Sequence, residues 1–300
     1  MPEGRVIQAI GGFYQIFTEH CEIVTARARG KIRLGDGIVV GDIVKYQSLP
    51  GGQGVIEEVR PRKTMLKKPN VSNVDQMIVV FSFQEPEYSA LLIDRFLLMA
   101  EVSLGMEILL IFNKQDLVSE SAVKEVVRAY QEVGYKVIST SAITGMGRSV
   151  LLGEIGGKAS VFSGPSGVGK SALLNMVSPD FALQTGEVSK RIGRGQHTTR
   201  HIQLLPLPDR SGFVLDTPGF TQFEPELIPS TSLARYFPDI HSFTESCRFT
   251  GCLHHHEPGC AVREAVERKA LLPWRYEHYL QFLTEIKEQE ETKYCRKKKS

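Results

Sequence analysis

Gly164-Pro165-Ser166-Gly167-Val168-Gly169-Lys170-Ser171 is the stretch on which the reading of this chain turns. It fits G-x-x-x-x-G-K-[ST], with the apolar run Ala159–Ser163 just before it and the helix-like Ala172–Val177 just after. The glycines let successive backbone N–H groups turn inward around phosphate oxygens. The helix that follows aims its positive end at the same place. Lys170 is the expected partner of the β- and γ-phosphates of a nucleotide, and the Ser171 hydroxyl the expected ligand of its Mg²⁺. The run from Gly164 to Ser171, with Ala172 opening the helix, is the predicted phosphate cradle.

Downstream, Asp216-Thr217-Pro218-Gly219 follows the apolar run Phe213–Leu215. Asp216 then sits at a strand end, where a carboxylate can hold Mg²⁺ directly or through water. Gly219 can bring its N–H to a γ-phosphate. Between these motifs lies a basic, glycine-rich stretch from Lys190 to Arg200, the composition of a mobile switch loop. Thr199 is the expected switch ligand of Mg²⁺, with Thr198 in reserve.

Upstream, Asn113-Lys114-Gln115-Asp116 ends the apolar run Glu107–Phe112 and resembles the guanine-specificity motif of GTPases. Guanine presents N1–H and a 2-amino group side by side, and the Asp116 carboxylate can accept both. Adenine would leave that carboxylate unpaired. Lys114 can lie along the base plane, and Asn113 can tie this loop to the phosphate loop. Ser141-Ala142, after the run Lys136–Thr140, matches the supporting Ser-Ala motif, with the Ala142 N–H directed at guanine O6. The usual order of these motifs is phosphate loop first. Here the base-reading motifs come first, at 113 and 141, in the order expected of a circularly permuted chain.

The rest of the chain divides around this unit. Residues 1–64 carry short β-like runs punctuated by Gly11-Gly12, Gly35-Asp36-Gly37 and Pro50-Gly51-Gly52, the pattern of a small barrel. An OB-fold is the leading form, with an SH3-like barrel or small sandwich as the alternative. Residues 65–222 alternate apolar strands with helical patterns, predicting a parallel sheet covered by helices. One such helix shows Ile93, Phe96, Leu97, Ala100 and Leu104 on one face, and Ser119 is the expected cap of another. Residues 223–300 form a mainly helical domain with a long charged helix from Pro273 to Glu291 and a disordered basic tail, Arg296–Lys299.

Five cysteines are too few and too clustered for a disulfide scaffold. Cys247, Cys252 and Cys260 with His254 make a Cys₃His set that fits closed, tetrahedral, structural Zn²⁺. His255 and His256 are alternatives to His254. The chain has 300 residues with 42% hydrophobic and 23% charged, ordinary globular values, and a net charge of +2 that proves no nucleic-acid partner. No apolar run is long enough to cross a membrane and no secretory signal is evident, so a cytoplasmic location is expected, and the chain is expected to be a monomer.

Permuted motifs, a barrel in front and a Cys-Cys-His-Cys segment behind resemble the bacterial family of ribosome small-subunit-dependent GTPases (RsgA, also called YjeQ or YloQ). The resemblance covers nearly the whole chain. It implies a GTP-hydrolysing factor in late maturation of the 30S subunit, binding ribosomal RNA and stimulated by the subunit. Basic residues at Arg60, Arg62, Lys63, Lys67 and Lys68, in the switch and in the tail are the expected phosphate contacts. Many GTPases place a water-orienting glutamine just after D-x-x-G, but here that position is Phe220, which cannot orient water. His197 is the candidate substitute.

Overall fold

The computed structural model describes residues 1–30, 37–67, 70–102, 106–181, 202–216 and 228–297. Five strands open the chain: β1 Glu3–Ile10, β2 Phe13–Thr18, β3 Ile23–Ala28, β4 Ile43–Leu49 and β5 Gln53–Val59. They close on themselves in the order β1-β2-β3-β5-β4-β1, with β3 and β5 parallel and the other pairs antiparallel. Closure leaves no free edge and makes this the OB-like barrel. Alternation fills its interior: Val24, Ala26 and Ala28 point in from β3, joined by Val6, Ile16, Val44 and Ile56. The expected strand Cys21–Ala26 starts two residues later than its sequence suggests, because Cys21 adopts a left-handed turn conformation at φ 62°.

Arg60 and Arg62 leave the barrel, but not as free phosphate contacts. Arg60 Nε donates to Glu3 Oε1 at 2.9 Å, and Arg62 grips the fully buried Asp42 through Nε at 2.8 Å and Nη2 at 2.9 Å. Asp42 also accepts from Ser72 Oγ at 2.6 Å and from the Val39 N–H at 2.9 Å. A buried carboxylate needs such partners, so Arg62 braces the junction with the short hairpin β6 Met65–Lys67 and β7 Asn70–Ser72, while Arg60 pairs within the barrel.

The central sheet runs in the order β10-β9-β8-β11-β13-β12. Its strands are β8 Gln76–Ser82, β9 Glu107–Asn113, β10 Lys136–Ser139, β11 Ala159–Ser163, β12 Gln203–Pro206 and β13 Phe213–Asp216. All pairings are parallel except β12 with β13. Every residue of β8 is buried, and its two faces feed different cores. Met77, Val79 and Phe81 meet α1 (Ala90–Val102) and α2 (Glu120–Glu132), whereas Ile78 and Val80 meet α3 (Arg148–Ile155) and α4 (Lys170–Val177). That is why β8 reads as an unbroken apolar run rather than an alternating one. Ser119 caps α2 by accepting from the Ala122 N–H. Barrel and sheet become one structure of eleven strands where Gln8 of β1 pairs with Gln203 of β12.

The C-terminal region is helical, with a 3-10 turn Ser230–Tyr236, α5 Pro238–Thr244, α6 Ala261–Glu267 and α7 Pro273–Lys297. Leu98 of α1 joins its core. The joint is also polar. Asp94 of α1, fully buried, faces Arg275 Nη1 at 2.7 Å and His278 Nδ1 at 2.6 Å. Arg275 also holds Asp239 of α5 at 3.0 Å, and Arg95 forms two 2.7 Å bonds to Glu285. Helix α7 runs past the expected end at Glu291 and takes in Arg296 and Lys297, which sequence assigned to a disordered tail. The run has no glycine or proline to stop it and is rich in strong helix formers.

Candidate functional site

The phosphate loop joins β11 to α4 at the C-terminal end of the parallel strands, the usual ligand edge of such sheets. Two of its glycines are required by geometry. Gly164 has φ +142°, and a Cβ there would lie 2.1 Å from the Val80 carbonyl oxygen. Gly169 has φ +95°, and a Cβ would lie 2.3 Å from Asn113 Nδ2. Pro165, Ser166 and Gly167 form the outer wall, with Ser166 and Gly167 exposed and Val168 anchored in the core. Lys170 is half-buried at the first turn of α4, and its Nζ donates to the carbonyls of Gly164 and Pro165 at 2.7 Å each. Burial lowers this ammonium to about 8. Ser171 and Ala172 follow it on the helix.

Asn113 ends β9 and is buried. Its Nδ2 donates to the Val168 carbonyl at 2.9 Å. Its Oδ1 accepts from Thr140 Oγ1 and from the Ala142 N–H, both at 3.2 Å. One amide therefore joins the phosphate loop, the Asn113–Asp116 loop and the Ser141-Ala142 loop. Thr140 was not singled out by sequence, although a hydroxyl just before Ser-Ala was the available signal. The Ala142 amide, assigned from sequence to guanine O6, is engaged by Asn113. Ser141 Oγ accepts from the Thr144 N–H at 3.2 Å and shapes the turn. Lys114 takes a left-handed conformation at φ 60° and its Nζ donates to the Glu85 carbonyl. Asp116 is exposed in the short turn Gln115–Leu117.

Asp216 is the last residue of β13, beside the phosphate-loop strand. Gly219, Phe220, His197, Thr198 and Thr199 lie outside the described residues.

A second site lies in the C-terminal region. The ligand atoms of Cys247, Cys252, His254 and Cys260 all fall within 4.8 Å of one another. His254 Nδ1 is 3.5 Å from both Cys247 Sγ and Cys260 Sγ, and the His254 N–H donates to Cys252 Sγ at 3.4 Å. Burial pushes the Cys252 thiol up to about 12, so this cluster holds thiolates only against a cation. Three sulfurs and one imidazole at this spacing fit a tetrahedral metal ion. Among the described residues His254, not His255 or His256, joins the set. The Glu257 carboxylate accepts from the N–H groups of Leu253, His255 and His256, while the rings of His255 and His256 stack on each other at 3.5 Å. Tyr276 and Tyr279 of α7 donate to the carbonyls of His254 and Leu253, at 2.6 and 3.1 Å.

Comparison with known proteins decides the family. Residues 59–226 match the model of the RsgA GTPase family, and residues 3–56 match the RsgA N-terminal domain. The chain belongs to the RsgA GTPase family. A relative from Caldanaerobacter subterraneus subsp. tengcongensis is named small ribosomal subunit biogenesis GTPase RsgA. It is 44% identical over 293 residues, covering 97% of this chain and 98% of that one. A Bacillus subtilis relative of the same name is 40% identical, with 96% and 98% covered. Among solved structures, YloQ, described as a circularly permuted GTPase, is 36% identical with a TM-score of 0.81, covering 96% of each chain. YjeQ from Thermotoga maritima is 38% identical, also at 0.81, with 95% and 98% covered.

As an RsgA GTPase, this chain is a GTP-hydrolysing enzyme, and the motif order seen in its sequence is the family's permutation. The sheet explains how a cut chain still builds the fold. Strands β8, β9, β10 and β11 are all parallel, so the loops after β9, β10 and β11 leave the same edge and the base-reading and phosphate loops meet there whichever strand comes first.

Proposed function

We propose that this protein hydrolyses GTP as a factor in late maturation of the 30S ribosomal subunit, binding its ribosomal RNA and being stimulated by it. The observation that carries the reading is identity above 40% across almost the whole chain to proteins named for small-subunit biogenesis. No helix among the described residues is long and apolar enough to cross a membrane. A cytoplasmic monomer is the form proposed, because small-subunit biogenesis is the role named for its relatives.

In this reading Gly164–Ala172 cradle the phosphates, with Lys170 turning from its carbonyl partners to the β- and γ-phosphates. Asp116 reads guanine N1–H and the 2-amino group, and Lys114 lies along the base. Asn113 and Ser141 hold the base loops. The Ala142 amide faces guanine O6 while keeping its weak bond to Asn113. Ser171, Thr199 and Asp216 would hold Mg²⁺, which supplies charge neutralisation on the β- and γ-oxygens. Gly219 contacts the γ-phosphate, and His197 orients the attacking water. Zn²⁺ is the metal proposed for Cys247, Cys252, His254 and Cys260, as a structural clip with no open position for chemistry.

Phosphate release from GTP, measured with and without 30S subunits, tests the function. Slow release alone and strong acceleration by subunits are expected. Pelleting with 30S across a salt series should show binding that weakens steeply with salt, as phosphate contacts require. Acceleration by protein extract free of subunits, with no pelleting, would instead favour a signalling GTPase with a protein partner. No turnover under either condition would make the chain a nucleotide-binding scaffold.

A further inference from the structure

The segment between β8 and α1 carries no motif, yet it touches both nucleotide loops. Its Glu85 carbonyl accepts from Lys114 Nζ. Its Pro86 flanks the phosphate loop: a Cβ on Gly167 would sit 3.4 Å from Pro86 Cδ. The segment is held in place at three points. Ser82, fully buried at the end of β8, donates from Oγ to the Pro86 carbonyl at 2.8 Å. Phe83 stacks on Phe112 with centroids 5.2 Å apart, and Tyr88 meets the same ring edge-on at 5.7 Å. Phe112 immediately precedes Asn113, and Ser82 is the register partner of Asn113 across the ladder. The Phe83 N–H also donates to the Asn113 carbonyl at 3.1 Å.

We infer that Ser82 is a positioning residue for guanosine binding: its bond to the Pro86 carbonyl straps the Gln84–Tyr88 segment so that the Glu85 carbonyl anchors Lys114 over the base. This rests on the proposed GTP site and adds a residue to it. Lysine has a flexible stem and loses much rotamer freedom when fixed. A carbonyl held rigidly at its tip meets part of that loss before nucleotide arrives, which is preorganisation of the base platform. The left-handed backbone of Lys114, uncommon for a residue other than glycine or asparagine, is fixed by flanking backbone bonds, from the Gln115 N–H to the Thr140 carbonyl at 3.0 Å and from the Phe83 N–H to the Asn113 carbonyl at 3.1 Å, so the side chain leaves from a set position. The strap acts through Lys114, which this reading assigns to the base and not to the phosphates, so its effect is expected to be the same on GDP and GTP.

The test is a double-mutant cycle on the full-length protein, with binding of fluorescent GDP and GTP as readout. Ser82→Ala is expected to weaken both nucleotides by about fivefold, the value of one ordinary hydrogen bond, and to raise the GTP concentration for half-maximal 30S-stimulated turnover in step. Because Ser82 acts through Lys114, Ser82→Ala added to Lys114→Ala should cost nothing further. Tyr88→Leu loosens the other end of the segment and should repeat both results, which covers a failure of Ser82→Ala to fold. Unchanged nucleotide affinity in folded Ser82→Ala and Tyr88→Leu overturns the inference. So does full additivity with Lys114→Ala. Asp116→Asn, run in the same assay, separates this from failure of the GTP-site reading. If Asp116→Asn moves preference toward xanthine nucleotides while Ser82→Ala has no effect, only the strap is wrong. If the wild type shows no guanine preference, the underlying site is wrong.

Discussion

Asn113 and Val168 are 55 positions apart, in motifs whose chain order is reversed from the usual GTPase, and they share a buried 2.9 Å hydrogen bond. The bond ties the Asn113–Asp116 loop to the Gly164–Ser171 loop. Asn113→Ala would leave the Val168 carbonyl, the Thr140 hydroxyl and the Ala142 amide without this partner. Each buried group so stranded costs about 1–3 kcal/mol. We expect a lower melting temperature and at least about tenfold weaker GDP binding. Calorimetry on the variant checks both. Unchanged affinity with lowered stability would show that the two loops need not be joined to bind.

Asp116 is the residue proposed to read the base. In Asp116→Asn the side-chain amide can donate to the 2-oxo group of xanthine, and it no longer accepts two hydrogens from guanine. Competition with xanthosine and guanosine diphosphates should show preference reversed. Equal ATP and GTP affinity in the wild type would refute the assignment.

Lys170 is expected to make nucleotide affinity depend on pH. Its pKa is lowered from 10.5 to about 8 by burial, so in the free protein it is protonated below that value and neutral above it. Bound phosphate favours the ammonium and raises the pKa again, so binding takes up a proton in the interval between. GDP affinity is therefore highest below about pH 8 and falls by up to about tenfold per pH unit above it. Titration calorimetry in two buffers of different ionisation enthalpy reads the uptake directly. A constant Kd from about pH 7 to 9, with no buffer dependence, contradicts it.

The Cys247, Cys252, His254 and Cys260 cluster should carry one zinc per chain, measurable by elemental analysis of protein purified without chelator. Cys252→Ala should lose the metal and unfold the C-terminal helices while GTP binding stays largely intact. Acidification should release zinc, because protons compete for the thiolates. Protein that folds normally and contains no zinc ends the assignment.

His197→Ala is expected to bind GTP and the 30S subunit nearly as the wild type does. It should lose on the order of a hundredfold in 30S-stimulated phosphate release, the scale of a positioned general base or water-orienting group. Retained turnover would assign water positioning to backbone or to the ribosome. Loss of 30S binding first would place His197 in the interface.

Sequence alone determined the chemistry of this protein wherever that chemistry is carried by neighbours in the chain. A phosphate cradle needs contiguous backbone N–H groups, so Gly164–Ser171 is legible from spacing, as is the Asp116 carboxylate two positions after Lys114. The order of the motifs was equally plain, and so was the cluster of Cys247, Cys252, His254 and Cys260 that could hold a metal. What only the tertiary structure decided depends on groups brought together across strands and domains. The barrel's OB-like form rests on β3 pairing with β5 and β1 with β4, contacts that no local pattern encodes. His254 was separated from two adjacent histidines by a turn built on Glu257. Arg60 and Arg62 read as phosphate contacts in the sequence, and their pairing with Glu3 and Asp42 is visible only in the fold. Ser82 and Glu85 carry no motif because one acts through an internal hydrogen bond and the other through its carbonyl, which every residue possesses. Side-chain identity reports chemistry, whereas the position of a backbone oxygen is set by the whole fold.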